Sequence, residues 1–91
     1  MNFNWDREKN KTLKRERNVC FEDVVALIEE GKVLEIIRHP NTERYPHQKI
    51  YLVLLNGYVH MVPYVRTEKE IFLKTIIPSR KMHRLYKGGE E

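Results

Sequence analysis

The dipeptide Asn56-Gly57 separates two runs, Lys49 to Leu55 and Tyr58 to Arg66, that are rich in apolar, β-branched and aromatic residues. A two-residue type I′ turn requires positive φ at both central positions. Asn-Gly meets that demand at little steric cost, so the pair predicts a tight hairpin. The turn also fixes register: Leu55 faces Tyr58, Val53 faces His60, Tyr51 faces Val62 and Lys49 faces Tyr64. Side chains alternate between the two faces, so the hairpin sorts into two sets. Ile50, Leu52, Leu54, Val59, Met61, Pro63 and Val65 form a wholly apolar set, expected to lie against helices. Lys49, Tyr51, Val53, Leu55, Tyr58, His60, Val62, Tyr64 and Arg66 form an amphipathic one. That second face has two readings. One is an open sheet face held by cross-strand pairs of about 0.2–1 kcal/mol each. The other is a binding surface, on which rings stack against unpaired bases and cations meet phosphates.

The other segments assemble around this hairpin. Asn2 to Trp5 alternates and reads as an edge strand. Asp6 is a candidate N-cap for a helix over 7–17, whose one apolar residue, Leu13, leaves it polar nearly all round. From Phe21 to Glu30, Phe21, Val24, Val25 and Ile28 fall at i, i+3, i+4 and i+7, which makes one buried helical face, and Gly31 stands where a C-cap glycine belongs. Residues 33–37 read as a strand, and 38–48 as a loop broken by two prolines. Glu70 to Ile77 reads as a last strand, in which either Phe72, Lys74 and Ile76 or Leu73, Thr75 and Ile77 share the mixed face. Ser79 caps a final helix that Gly88-Gly89 ends, with Met82, Leu85 and Tyr86 on one side. The predicted order is β-α-α-β-β-β-β-α. This is an α+β domain over 1–88, with an antiparallel sheet of four to five strands, helices packed on one face, and a disordered tail at 89–91.

Ninety-one residues suffice for one small core. The single cysteine, Cys20, excludes an internal disulfide framework and a cysteine-rich zinc site. No stretch approaches the roughly 20 apolar residues that span a bilayer. The polar opening MNFNWDREKNK is unlike a secretory signal, so a cytoplasmic location is expected. The net charge of +4 suggests a polyanionic partner. The charge gathers at two places. Residues 7–17 carry six cations against two acids, and Arg80, Lys81, Arg84 and Lys87 have no acid among them. His39 and His47 share a loop without a carboxylate pair placed to complete a metal site. No phosphate-cradling glycine loop or nucleophile elbow is present, and no cofactor is expected.

Two segments resemble a known family. FNWDREKNKTLKRERNVCFEDVVALIE is similar to the opening of BrnT-family toxins, with its Trp-Asp-x-x-Lys segment, short basic helix and Phe-Glu-Asp start to a second helix. IIPSRKMHRLY resembles that family's Ile-Ile-Ser-x-Arg-Lys ending and the basic helix with a tyrosine that follows. Cys20 and Pro78 stand at positions where the family has serine, and the 38–48 loop is longer and richer in proline. The resemblance implies a RelE-like fold. It also implies a type II toxin that cleaves RNA, with mRNA as the expected target, on or off the ribosome. Its antitoxin would be a ribbon-helix-helix DNA-binding protein, and a toxin dimer or a toxin–antitoxin heterotetramer is a candidate assembly.

Metal-independent RNA cleavage attacks the phosphate with the neighbouring 2′-hydroxyl. It needs a base, a proton donor for the 5′-oxygen and cations for the phosphorane. His60 suits either proton-transfer role. Tyr64 can donate a hydrogen bond or stack, and Arg66 and Arg80 are always-charged forks suited to phosphate. Lys9, Lys14, Lys49, Lys81 and Tyr86 are the candidate RNA contacts. A non-catalytic nucleic-acid-binding regulator and an inactive toxin-fold co-repressor remain as alternatives on the same basic surface.

Overall fold

The computed structural model describes residues 1–87. In chain order the elements are β1 (Asn2–Trp5), α1 (Arg7–Arg17), α2 (Phe21–Glu29), β2 (Glu35–Arg38), β3 (Gln48–Leu55), β4 (Tyr58–Arg66), β5 (Glu70–Leu73), β6 (Ile77–Pro78) and α3 (Arg80–Lys87). The sheet runs β1-β5-β4-β3-β2, with β6 also paired to β4. The protein is a small α+β fold with a mixed sheet and three helices. Among the described residues no helix is long and apolar enough to cross a membrane.

The hairpin register is the expected one, from Leu55 against Tyr58 to Gln48 against Val65, and Asn56 and Gly57 adopt φ of 53° and 75°. The helix ends follow local chemistry. The Asp6 side chain accepts a hydrogen bond from the Lys9 amide at 3.0 Å, and Asn18 closes α1 in the left-handed region at φ 56°. Gly31, at φ 71°, closes α2. Its N–H reaches the Ile28 carbonyl while the Lys32 N–H reaches that of Leu27, the paired bonds of a Schellman motif. Cys20 makes no side-chain cap on α2. The buried Asn10 of α1 does that work. Its Oδ1 accepts from the Phe21 amide at 2.8 Å, and its Nδ2 donates to Glu22 at 2.8 Å.

Four expectations are corrected. First, β1 runs parallel to β5, from Asn2 against Glu70 to Trp5 against Leu73, so the sheet is mixed rather than antiparallel. Second, the expected strand over 70–77 is two pieces. The hairpin alternation turns the polar backbone groups of Pro63 towards this segment, where its carbonyl accepts from the Lys74 amide at 2.8 Å. Proline offers no N–H in return. The ladder therefore breaks there, β5 pairing with 64–66 and β6 with 60–61.

Third, both faces are covered, and it is the mixed one that lies against α1 and α2. The set containing Tyr51, Val53, Leu55, Val62 and Tyr64 forms the main core with Leu13, Val19, Phe21 and Val24, extended by Ile71 and Leu73. The Trp5 ring stacks on Phe21 at 5.6 Å. Fourth, the helices do not share one face. The Tyr86 hydroxyl donates to Glu35, which stands beside Leu52 on the second face, so α3 crosses that face while α1 and α2 cover the first. Met82 and Tyr86 are half-buried there, but Leu85 points outward and is 68% exposed. The expected helix stop and the tail at 89–91 lie outside the described residues.

Asn10→Ala strands the buried Phe21 N–H, and an unpaired buried donor costs about 1–3 kcal/mol. Urea unfolding should show a loss of that size. Cys20→Ser, which supplies a local cap, should show none.

Candidate nucleic-acid interface

The cations of α1 are not evenly spread around the helix. Lys9, Leu13, Glu16 and Arg17 fall at i, i+4, i+7 and i+8, so they form one stripe. This stripe faces the segment between β5 and β6. With Thr12, Thr75 and Ile77 it lines a groove of about 360 Å³. Leu13 is buried on the core side, while the charged ends of Lys9 and Arg17 remain exposed.

His60 lies next to this groove. It pairs with Val53 on β3 and with Pro78 on β6, directly after the groove residue Ile77. It is only 7% exposed. Burial lowers its pKa below 6.5. The bond between Nδ1 and the Tyr58 carbonyl, at 2.8 Å, opposes that shift, and the nearby Arg17 charge adds to it. A carbonyl oxygen can only accept, so Nδ1 carries the proton and Nε2 of the neutral ring holds the free lone pair. Among the described residues Nε2 makes no hydrogen bond, and no buried side-chain nitrogen or oxygen lacks a partner. Nε2 therefore keeps contact with solvent.

The open face expected for Tyr58, His60, Tyr64 and Arg66 does not form. Tyr64 is buried and stacks on Tyr51 at 4.1 Å between ring centres. Burial and the Tyr64 phenol push Tyr51 up to about 12, and burial raises Tyr64 as well. Both are neutral at physiological pH. Tyr64 is four residues from His60 along one strand, or about 13 Å. Five of the residues proposed from sequence thus divide into two groups. His60 and Lys9 belong with the α1–β6 groove, joined by Arg17 and Ile77. Tyr64, Arg66 and Lys49 lie at the opposite end of the hairpin, with Lys49 directly across from Tyr64.

Arg80 and Lys81 are exposed at the start of α3, just after Ser79, whose hydroxyl caps the Met82 amide at 3.2 Å. Two bonds fix this start against β4. The Ser79 N–H donates to the Val59 carbonyl at 3.0 Å, and the Val59 N–H donates to His83 Nδ1 at 3.2 Å. His83 also stacks on Tyr58 at 4.2 Å. Lys14 pairs with Glu22 at 3.7 Å, and Tyr86 is occupied by Glu35. Neither reaches the groove. The α1 stripe was legible from helical spacing. The opposing wall, Thr75 and Ile77, was not, because it depends on the break at Pro63.

Searches of protein families, curated proteins and solved structures find no match to this chain.

The His60 shift has a definite sign. Its folded pKa lies below its unfolded value, so the unfolded state binds the proton first as pH falls. The stabilising effect of the neutral ring is complete above 6.5 and is lost as pH drops through the folded pKa. An NMR titration of the His60 ring should give a midpoint below 6.5. Stability measured against pH should lose that component in His60→Gln.

Proposed function

We propose that the chain is a metal-independent endoribonuclease, acting in the cytoplasm as the toxin of a type II toxin–antitoxin pair with a RelE-like fold. The observation that carries this reading is the pairing of a neutral, solvent-reaching imidazole with the cationic α1–β6 groove. The resemblance of both chain ends to BrnT-family toxins supports it.

In this reading an RNA strand lies along the groove, with Lys9 and Arg17 against its phosphates. His60 Nε2 takes the proton of the 2′-hydroxyl as its oxygen bonds to phosphorus, the bond from phosphorus to the 5′-oxygen breaks, and the departing 5′-oxygen takes a proton from water. The depressed basicity of the ring keeps it unprotonated, and therefore able to act as a base, at neutral pH. Arg80, exposed immediately beyond β6, supplies fixed charge for the phosphorane. Tyr64, Arg66 and Lys49 are too far away to join this step and serve as contacts elsewhere on the strand. The expected partner is a ribbon-helix-helix antitoxin whose acidic surface covers the groove.

A second reading has its own observation. Tyr64 is about 13 Å from His60, and the ring that does stand beside it, Tyr58 at 6.0 Å, is stacked on His83. A protein that binds RNA or DNA without cleaving it would need the cations alone.

The test is incubation of the purified chain with single-stranded RNA in excess EDTA. Cleavage to 2′,3′-cyclic phosphate and 5′-hydroxyl ends is expected. His60→Gln should slow it by about 10²–10⁴-fold, the usual contribution of a general base. Arg17→Ala and Arg80→Ala should also slow it, with circular dichroism unchanged. Intact RNA with wild-type protein, together with salt-sensitive RNA binding, would favour the second reading.

A further inference from the structure

A second cationic site lies at the other margin of the sheet. Arg38 of β2 stands directly opposite Lys49 of β3. Like charges facing each other across an antiparallel pair repel. Neither has a counterion within 4 Å among the described residues, where Lys11 pairs with Glu8, Lys14 with Glu22, Arg15 with Glu16 and Lys32 with Glu30. The two cations line a pocket of about 270 Å³ with Thr42, Tyr45, Pro46 and Gln48, and no acid is among its lining. Arg66 is the diagonal neighbour of Lys49 on the same face, about 7–8 Å away.

The loop that closes this pocket is braced internally. The Asn41 amide donates to His39 Nδ1 at 3.1 Å, and Asn41 Oδ1 accepts from the Arg44 amide at 3.1 Å. The Tyr45 amide donates to the Asn41 carbonyl, the Gln48 amide to that of Tyr45, and the His39 amide to that of Gln48. The Tyr45 ring rests on His39 at 4.4 Å with the Arg44 guanidinium 5.4 Å above it. These contacts hold the pocket wall in place beside the two exposed cations, and an anion seated between the charges would remove their repulsion.

We propose that the Arg38–Lys49 pocket is a phosphate-binding site that takes a backbone phosphate of single-stranded RNA. Arg38 offers a planar fork to the phosphate oxygens and Lys49 a point charge. The Thr42 hydroxyl and Gln48 amide add neutral donors. The proposal rests on the RNA reading of the α1–β6 groove and extends it. β2 and β6 are separated by β3 and β4, about 14 Å across the strands, and the two sites also lie about 13 Å apart along them. A mononucleotide occupies one site, while a longer strand engages both.

Two measurements on the full chain test this, using wild type and the Arg38→Gln/Lys49→Gln double variant. In the first, inorganic phosphate is titrated at low salt and followed by NMR. The Thr42, Tyr45 and Lys49 amides should shift in wild type, and the Thr42 and Tyr45 shifts should vanish in the variant. Unmoved wild-type resonances overturn the site. In the second, binding of an oligoribonucleotide of about 12 nucleotides, within the usual range of single-strand site sizes, is measured against salt. The slope of log K on log salt should fall by about 0.7 to 1.4 in the variant, for one or two phosphates lost. An unchanged slope overturns the proposal and leaves the groove reading standing. If wild type binds no RNA, the groove reading fails, and the phosphate titration alone decides whether the pocket binds phosphate. Removing a like-charge pair should leave the variant's Tm no lower than that of wild type, so a folding defect cannot imitate these results.

Discussion

The alternation of backbone direction along β4, set by the Asn56–Gly57 turn, organises the whole molecule. Once Leu55 faces Tyr58, every second residue of β4 turns its N–H and C=O away from β3. Val59, Met61, Pro63 and Val65 are those residues, and each receives a different part of the C-terminal chain. Ser79 and His83 take the two polar groups of Val59, β6 pairs beside Met61, Lys74 bonds the Pro63 carbonyl, and β5 pairs beside Val65. The turn is tied to the helical layer as well, since the Asn56 side chain donates to the Asn18 carbonyl at 2.9 Å. A one-residue slip would displace all of these attachments at once.

Pro63 has a consequence beyond its own strand. A continuous last strand would pair along all of β4 and leave no wall opposite the α1 stripe. The missing N–H ends β5 at Leu73 and lets residues 74–76 leave the sheet before β6 rejoins it. Thr75 and Ile77 then face Lys9 and Arg17 across a groove, and His60 lies beside it. The candidate site is therefore a product of interrupted pairing. Its cations are long side chains with exposed heads above the buried Leu13, an arrangement suited to a polyanion.

The two ends of the hairpin carry different chemistry for one physical reason, depth. His60 is deep enough to remain neutral yet keeps one nitrogen in contact with water. Tyr51 and Tyr64 are stacked and buried, which makes them supports for the sheet. Lys49, Arg38 and Arg66 fringe that stack with their side chains exposed. Positive charge thus borders the structure on both margins, with the apolar core between.

Sequence alone determined most local geometry. The turn, the β3–β4 register, the ends of α1, the Gly31 cap and the span of β4 each follow from the φ preferences or hydrogen-bonding capacity of a few adjacent residues. Residues 7–17 read as polar nearly all round, so the stripe of Lys9, Leu13 and Arg17 went unread although helical spacing carries it, while alternation grouped the hairpin side chains correctly. Alternation could not say which group meets α1 and α2. Both sets are largely apolar, because α3 covers the second face and each face needs burial. The tertiary structure alone decided that question, and with it the burial of Tyr64 and His60. It also decided the parallel pairing of β1 with β5, the service of Asn10 as a cap for a helix whose own N-cap is a cysteine, and the meeting of Arg38 with Lys49. Each of these depends on residues distant in the chain, and their contacts follow from how layers stack rather than from any local propensity.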